Sequence, residues 1–302
     1  MKRHAGVAQL AERDLPKVEA AGSIPVSRSN SSSAAHERMP HAELADAVTA
    51  VLGGSWSLRS MGGTSGRAFL AIGSQTLVVR VGARPEVARR LSALDVSPPV
   101  LAAGTVAGQP FVLHEVIDRT LNVDPGWMRA NPAAVAELLR RYLGDADLVD
   151  LAPRLELRPH VERLATELAG RDPGRSHLAE LLVRSLPADA EEIACATHGD
   201  PNTTNFLFGG RLWLVDWDDL ARTDPMRDIG QIAWWYLDED TWPAFVAACG
   251  QPPAVEEHVR WWAAIESLDV ALRLVDSDAE AAEAFLGDFD AAVTGRPNPR
   301  RR

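Results

Sequence analysis

From residue 56 to 81, apolar positions alternate with polar ones or form short runs, and glycines interrupt them. This pattern predicts a small antiparallel sheet. Three strands are expected: Trp56 to Arg59, Arg67 to Ile72 and Thr76 to Val81. They turn at Met61-Gly62-Gly63-Thr64-Ser65-Gly66 and at Gly73-Ser74. Pro85 suits the first turn of a helix whose Val87, Leu91 and Leu94 have helical spacing. Residues 110 to 117, Pro-Phe-Val-Leu-His-Glu-Val-Ile, read as another strand. Leu, Ala and Arg then recur in helical patterns over 130–186 and 227–292. Between those stretches lie two strand-like runs, Phe206-Leu207-Phe208 and Leu212-Trp213-Leu214-Val215. Gly209-Gly210 separates them and predicts a two-residue hairpin, with Phe208 facing Arg211 and Asn205 facing Leu214.

That hairpin places Asn205 and Asp216 together at its open end, beside the loop that carries His198-Gly199-Asp200. Oxygen ligands converging in this way suit magnesium, which takes a few carboxylate or amide oxygens together with phosphate oxygens and water. Phosphoryl transfer needs an acid to orient the attacking hydroxyl, and an Asn and an Asp to hold the metal ions that bridge the phosphates. Asp200 is the candidate for the first role, and Asn205 and Asp216 for the second. Any one of these residues alone reads as an ordinary turn or strand end; the ordered set carries the expectation.

The strings THGDPNTTNFLF and LWLVDWDDLARTDPMRDI resemble the signature of the aminoglycoside phosphotransferase and choline kinase superfamily, small-molecule kinases related in fold to protein kinases. The resemblance implies that Asp200 is the catalytic Asp, that Asn205 and Asp216 are metal ligands and that Asp218 is a candidate auxiliary acidic residue. It gives His198 and Asp228 the structural task of bracing the loop. Pro201-Asn202-Thr203-Thr204 departs from relatives that carry a Gly before the Asn, but it leaves the ligands in place.

Kinase logic asks for a cation on the third strand of the sheet. Lys2 and Lys17 are the chain's two lysines, both far upstream, so Arg80 is the candidate phosphate partner; its guanidinium fork matches phosphate oxygens. Gly62, Gly63, Thr64, Ser65 and Gly66 are either a phosphate-approaching loop or a plain turn. Glu86, six positions after Arg80, is either its acidic partner or a favourable charge at a helix N-terminus. The resemblance also makes the main chain from Glu115 to Ile117 the adenine-binding hinge.

The acceptor site is sought in the helical half. Trp234, Asp238 and Glu239 follow the metal motif, and Trp262, Glu266 and Asp269 share one face of a helix near 257–275. An aromatic with two acids suits an amine or quaternary ammonium. The alternative is that the tryptophans fill the core and the acids line a wet surface.

The predicted fold class is therefore α+β: a two-lobed protein-kinase-like fold, with a small antiparallel sheet lobe over residues 39–117 and a mainly helical lobe over 118–296. Residues 297–302 form a basic tail, whose Arg300-Arg301-Arg302 terminus is expected to be solvated. The first 38 residues contain Gly6 to Arg13 and Gly22 to Pro25, strings resembling the translation of D-arm and T-arm sequences of a transfer-RNA gene. Translation is therefore expected to start at Met39; a genuine disordered tail is the other reading.

Composition narrows the function. The 302 residues carry a net charge of −11, and the first 38 hold six basic and four acidic residues, so the remainder stands at −13. Such a chain repels nucleic acid and attracts cationic small molecules. No apolar run approaches the roughly 20 residues of a membrane helix. Cys195 and Cys249 lack metal or redox spacing and read as packing residues of a reducing compartment, so a cytoplasmic location is expected. The reading is an ATP- and Mg2+-dependent kinase of a small hydroxyl-bearing molecule, with a catalytically inert nucleotide-binding module as the alternative. The absence of an Asp-Phe-Gly and Ala-Pro-Glu activation loop argues against a protein substrate.

Overall fold

The computed structural model describes residues 41–61, 66–187, 194–252 and 256–301. The amino-terminal segment and Met39, together with Gly62, Gly63, Thr64 and Ser65, lie outside the described residues. The first lobe begins with helix α1 (His41–Leu52), followed by β1 (Ser57–Ser60), β2 (Ala68–Ile72) and β3 (Thr76–Val81). Helix α2 (Pro85–Ala93), β4 (Val100–Val106) and β5 (Gln109–Glu115) complete it. The strands form one antiparallel sheet in the order β1-β2-β3-β5-β4.

The strands predicted over 56–81 and 110–117 thus lie where their alternation placed them. Helix α1 and strand β4 were not anticipated. The sequence of β4 includes two alanines and Gly104, a weak strand signal. Gly104 is needed because a Cβ there would come 2.7 Å from the Phe111 ring across the sheet. Leu44 and Val48 of α1 pack against Phe69, Val79 and Phe111 of the sheet, forming the smaller of two large apolar cores.

The second lobe is mainly helical: α3 (Pro125–Ala130), α4 (Pro132–Leu143), α5 (Ala146–Leu151), α6 (Leu157–Arg171) and α7 (Ser176–Arg184) precede two short strand pairs. In chain order the strands are β6 (Cys195–Thr197), β7 (Phe206–Phe208), β8 (Leu212–Leu214) and β9 (Ala221–Thr223). They pair antiparallel as β6 with β9 and β7 with β8. Helices α8 (Met226–Tyr236), α9 (Trp242–Ala248), α10 (Glu256–Leu274) and α11 (Ala279–Val293) close the lobe. Their core includes Tyr142, Trp234 and Trp262, each fully buried.

Helix α2 departs from the predicted division into lobes. Its Val87 and Leu91, with Val96 just beyond it, join the core of the helical lobe rather than that of the sheet. Arg90 reinforces this by pairing with Asp145 at the start of α5. Both cysteines are free, and burial pushes the Cys249 thiol up to about 12, as suits an inert packing group.

The described part of the basic tail is tied to the helical lobe, while Arg300 itself is exposed. Asn298 is buried and donates from Nδ2 to the Trp234 carbonyl at 2.9 Å. Arg300 Nε lies 2.7 Å from Asp288 Oδ2 of α11, with Cζ 4.1 Å from the Phe285 ring centroid. A fully buried Asp288 gives the terminus a counter-charge that its string of arginines does not reveal.

Candidate active site

The β7–β8 hairpin carries the proposed metal ligands, and its register differs by one residue from the expected one. Phe208 faces Leu212 and Phe206 faces Leu214, which leaves Gly209, Gly210 and Arg211 as a three-residue loop. Gly210 takes the left-handed conformation (φ 78°), and Arg211 is drawn out of the strand by Asp95 at 2.7 Å and by the Trp213 ring at 3.8 Å. Asn205 therefore faces Val215, whose N–H donates to the Asn205 carbonyl at 3.0 Å. Asp216 follows directly, so the amide and the carboxylate still meet at the open end. Asp216 itself sits at φ 70°, ψ 62°, a strained setting for a non-glycine residue of the kind found at functional sites.

Asp200 sits in a loop fixed by a chain of hydrogen bonds. Asp228, in the first turn of α8, accepts from the His198 N–H at 2.6 Å, the Gly199 N–H at 2.8 Å and the Tyr142 hydroxyl at 2.7 Å. The His198 ring bridges the two loops: its Nδ1 accepts from the Asp200 N–H at 3.1 Å, and Nε2 lies 2.9 Å from the Val215 carbonyl. That pattern requires the proton on Nε2. Trp217 stacks edge-on against His198, with centroids 4.6 Å apart, and its Nε1 donates to Ser97 Oγ at 2.9 Å. His198 and Asp228 thus brace the loop. Asn205 ties the loop to the hairpin, donating from Nδ2 to the Asp200 carbonyl at 2.9 Å.

Arg80 extends from β3 to this cluster. Its Nη2 lies 2.6 Å from Asp216 Oδ1 and 3.2 Å from Asp218 Oδ1. Burial alone lowers an arginine's pKa, but the two carboxylates more than offset it and hold the guanidinium above its ordinary value. Glu86 is not part of the cluster: it is exposed and accepts from Arg84 Nε at 3.0 Å. Its own backbone N–H, then Arg84, hold its pKa down, as suits a charge in the first turn of a helix.

The candidate hinge segment starts at Glu115, the last residue of β5, and Ile117 rests on the β7–β8 hairpin. A Cβ at Gly209 would come 2.6 Å from Ile117 Cγ2 and 2.7 Å from the Asp118 carbonyl. The Thr120 N–H donates to the Phe208 carbonyl at 2.9 Å, locking the two segments together. Of the five candidate residues in the glycine-rich turn, Gly66 alone falls among the described residues, with φ 60°.

The six candidate acceptor residues do not form a cage. Trp234 and Trp262 are fully buried, and Trp262 Nε1 donates to Asp224 Oδ2 at 2.9 Å. Glu266 is sealed against Arg227 at 3.0 Å, and Asp269 pairs with Arg273 at 2.6 Å. Asp238 stands 3.7 Å from Arg129, and Glu239 3.2 Å from Arg260. The tryptophans fill the core, and Glu266 and Asp269 are buried ion-pair members rather than solvated or ligand-facing groups. Sequence reasoning missed Arg227, Gln231 and Tyr236. Gln231 Nε2 donates to the Gly199 carbonyl at 3.2 Å, and the Tyr236 hydroxyl accepts from the Thr203 N–H at 3.3 Å. Their position four or five residues apart on an apolar helix gave no sign of this.

Comparison with known proteins agrees with this fold. The phosphotransferase enzyme family profile matches residues 60–265, more than half of the chain. The choline kinase LicA from Streptococcus pneumoniae superposes with a TM-score of 0.60 at 16% identity, over 82% of this chain and 95% of that one. A choline/ethanolamine kinase family protein from Mesorhizobium loti gives 0.56 at 19% identity, over 81% of this chain and 88% of that one. Spectinomycin phosphotransferase APH(9)-Ia, solved with ADP and spectinomycin, gives 0.57 at 13% identity, over 85% of this chain and 97% of that one. At these identities the likeness establishes a shared kinase-like α+β fold, and the profile match establishes the family: the chain belongs to the phosphotransferase enzyme family.

Proposed function

We propose that the chain is an ATP- and magnesium-dependent kinase that moves the γ-phosphate to a hydroxyl of a small, amine-bearing molecule. The observation that carries this reading is the contact between Arg80 and Asp216, which puts the candidate phosphate partner and the candidate metal ligand at one place. The donor set suits magnesium: Asn205, Asp216 and Asp218 offer oxygens alone, and the two carboxylates already converge on one guanidinium nitrogen. With the Asn205 Nδ2 held by the Asp200 carbonyl, Oδ1 is its ligand atom. Bound there, the metal supplies charge neutralisation across the phosphates.

The protein's own groups do the rest. Asp200, held by Asp228 and His198, orients the acceptor hydroxyl and takes its proton as the oxygen attacks. Arg80 turns its fork from the carboxylates to the phosphate oxygens. The main chain at Glu115 to Ile117 is the adenine contact. An amine-bearing acceptor is supported by the charge of −13 outside the first 38 residues and by the choline and spectinomycin named for related folds.

The test is ADP release across amino alcohols, sugars and aminoglycosides, with magnesium varied. We expect release that requires both an acceptor and the metal. Asp200→Asn should lower kcat by about 10²- to 10⁴-fold while sparing ATP affinity. Nucleotide binding without acceptor-dependent ADP for any acceptor would sink the enzyme reading and leave the inert binding module.

A further inference from the structure

Asp228 is not the only residue of α8 beneath the catalytic loop. Its neighbour Arg227 is 3% exposed, and Arg227 Nε donates at 3.0 Å to Glu266 of α10, itself 2% exposed. Arg227 Nη1 donates to the Asp219 carbonyl at 3.3 Å. The other side of the same guanidinium abuts Gly199, where a Cβ would come 2.7 Å from Nη2 and 2.8 Å from Cζ. Gly199 has φ 90°, so no side chain is tolerated there on conformational grounds either. One guanidinium thus touches the residue before Asp200 and the residue after Asp218.

We infer that the Arg227–Glu266 ion pair is a positioning device for phosphoryl transfer, setting the spacing between the Asp200 loop and the Asp216–Asp218 loop. The inference rests on the roles proposed above for those acids. Glu266 fixes the planar fork from one edge, and the fork presents its remaining edge to the Asp219 carbonyl and its body to Gly199. Neither charge is tolerated alone in the core, so the pair holds one geometry. A shift of Arg227 is passed to both loops at once, and an error of about 1 Å in such a site costs about 10²-fold in rate. The role assigned to Glu266 is therefore orientation through Arg227, without contact to the acceptor.

Three variants test this. Glu266→Gln keeps the shape and removes the charge, and Arg227→Lys keeps the charge but cannot span Glu266 and the Asp219 carbonyl together. Each should lower kcat by about tenfold or more, with KM for ATP within about twofold. The double variant Arg227→Met with Glu266→Met removes both charges at similar volume and should recover the parental melting temperature, while its kcat stays low. Recovery of kcat along with stability would reduce the pair to a structural element and overturn the inference. If the double variant does not fold, Arg227→Lys decides, since parental kcat there overturns it equally. If the parent transfers phosphate to no acceptor, the proposed function has failed instead. The inference is then read from amide exchange at 199–200 and 219–220: faster exchange in Arg227→Lys than in the parent, with unchanged exchange in the β1–β5 sheet, supports it, and equal exchange overturns it.

Discussion

Arg80 Nη2 lies 2.6 Å from Asp216 Oδ1, joining two residues 136 positions apart and linking the sheet lobe to the segment that follows the β7–β8 hairpin of the helical lobe. The arginine holds the carboxylates of Asp216 and Asp218 together as a resident counter-charge. The same side chain is the candidate phosphate partner. Arg80→Ala is therefore expected to raise KM for ATP about tenfold or more, since a charge-assisted fork is lost. Arg80→Lys should do so less, because a point charge replaces a fork. Initial rates against ATP at fixed magnesium measure both, and an unchanged KM in the alanine variant would contradict the assignment.

Asp228 accepts three hydrogen bonds in the core, from His198, Gly199 and Tyr142. Burial, then the Asp228 charge, push the Tyr142 hydroxyl well above its ordinary value, so it remains a donor at any working pH. Asp228→Ala orphans all three donors and should cost about 3–5 kcal/mol of stability. Thermal unfolding reads the loss directly, and a cost under about 1 kcal/mol would mean that the loop is held by other groups.

Asp288 links stability to pH. Its side chain is fully buried, and Arg300 Nε stands 2.7 Å from its Oδ2. Burial raises its pKa to about 6, with Arg300 opposing the shift. The folded value lies above the unfolded one, so this contribution is fully present below about pH 4 and is lost as pH rises through about 6. About two units correspond to at most about 3 kcal/mol. Asp288→Asn should flatten the stability profile between pH 4 and 7, as measured by urea unfolding at each pH. A profile that still falls over that window would remove Asp288 as the cause.

Gly209 permits the hairpin turn to sit under the hinge. A Cβ at this position meets Ile117 and the Asp118 backbone at 2.6 and 2.7 Å, and backbone cannot yield as a side-chain tip can. Gly209→Ala should cost about 1–3 kcal/mol through overpacking. Because the displaced segment is the candidate adenine contact, KM for ATP should rise as well. A stability loss with ATP binding unaltered would separate this turn from the nucleotide site.

Much of the candidate site's local geometry was legible in the sequence because its pieces are close along the chain. The runs around Gly209-Gly210 enforce a hairpin, and a hairpin of any short loop brings Asn205 and Asp216 to its open end. The one-residue register error left that meeting intact. It arose because Arg211 is held out of the strand by Asp95, a partner more than a hundred positions away. Glu86, the acceptor candidates and the tail could not be assigned from sequence for a related reason. Helix α10 is buried on nearly every side from Val259 to Leu272, so its acids face the core rather than a wet or ligand-lined face. Helical spacing identifies residues that share a face but not what that face meets.

The sequence by itself determined the strand alternation of the first lobe, the helices of the second and the order of Asp200, Asn205 and Asp216, because these depend on backbone periodicity and on residue chemistry at short range. Tertiary structure alone decided that helix α2 belongs to the helical core, that Arg80 reaches Asp216 rather than Glu86, and that Glu266 is sealed against Arg227. Each of those outcomes depends on which buried charge finds its counter-charge across a long stretch of chain, and local periodicity carries no record of that pairing.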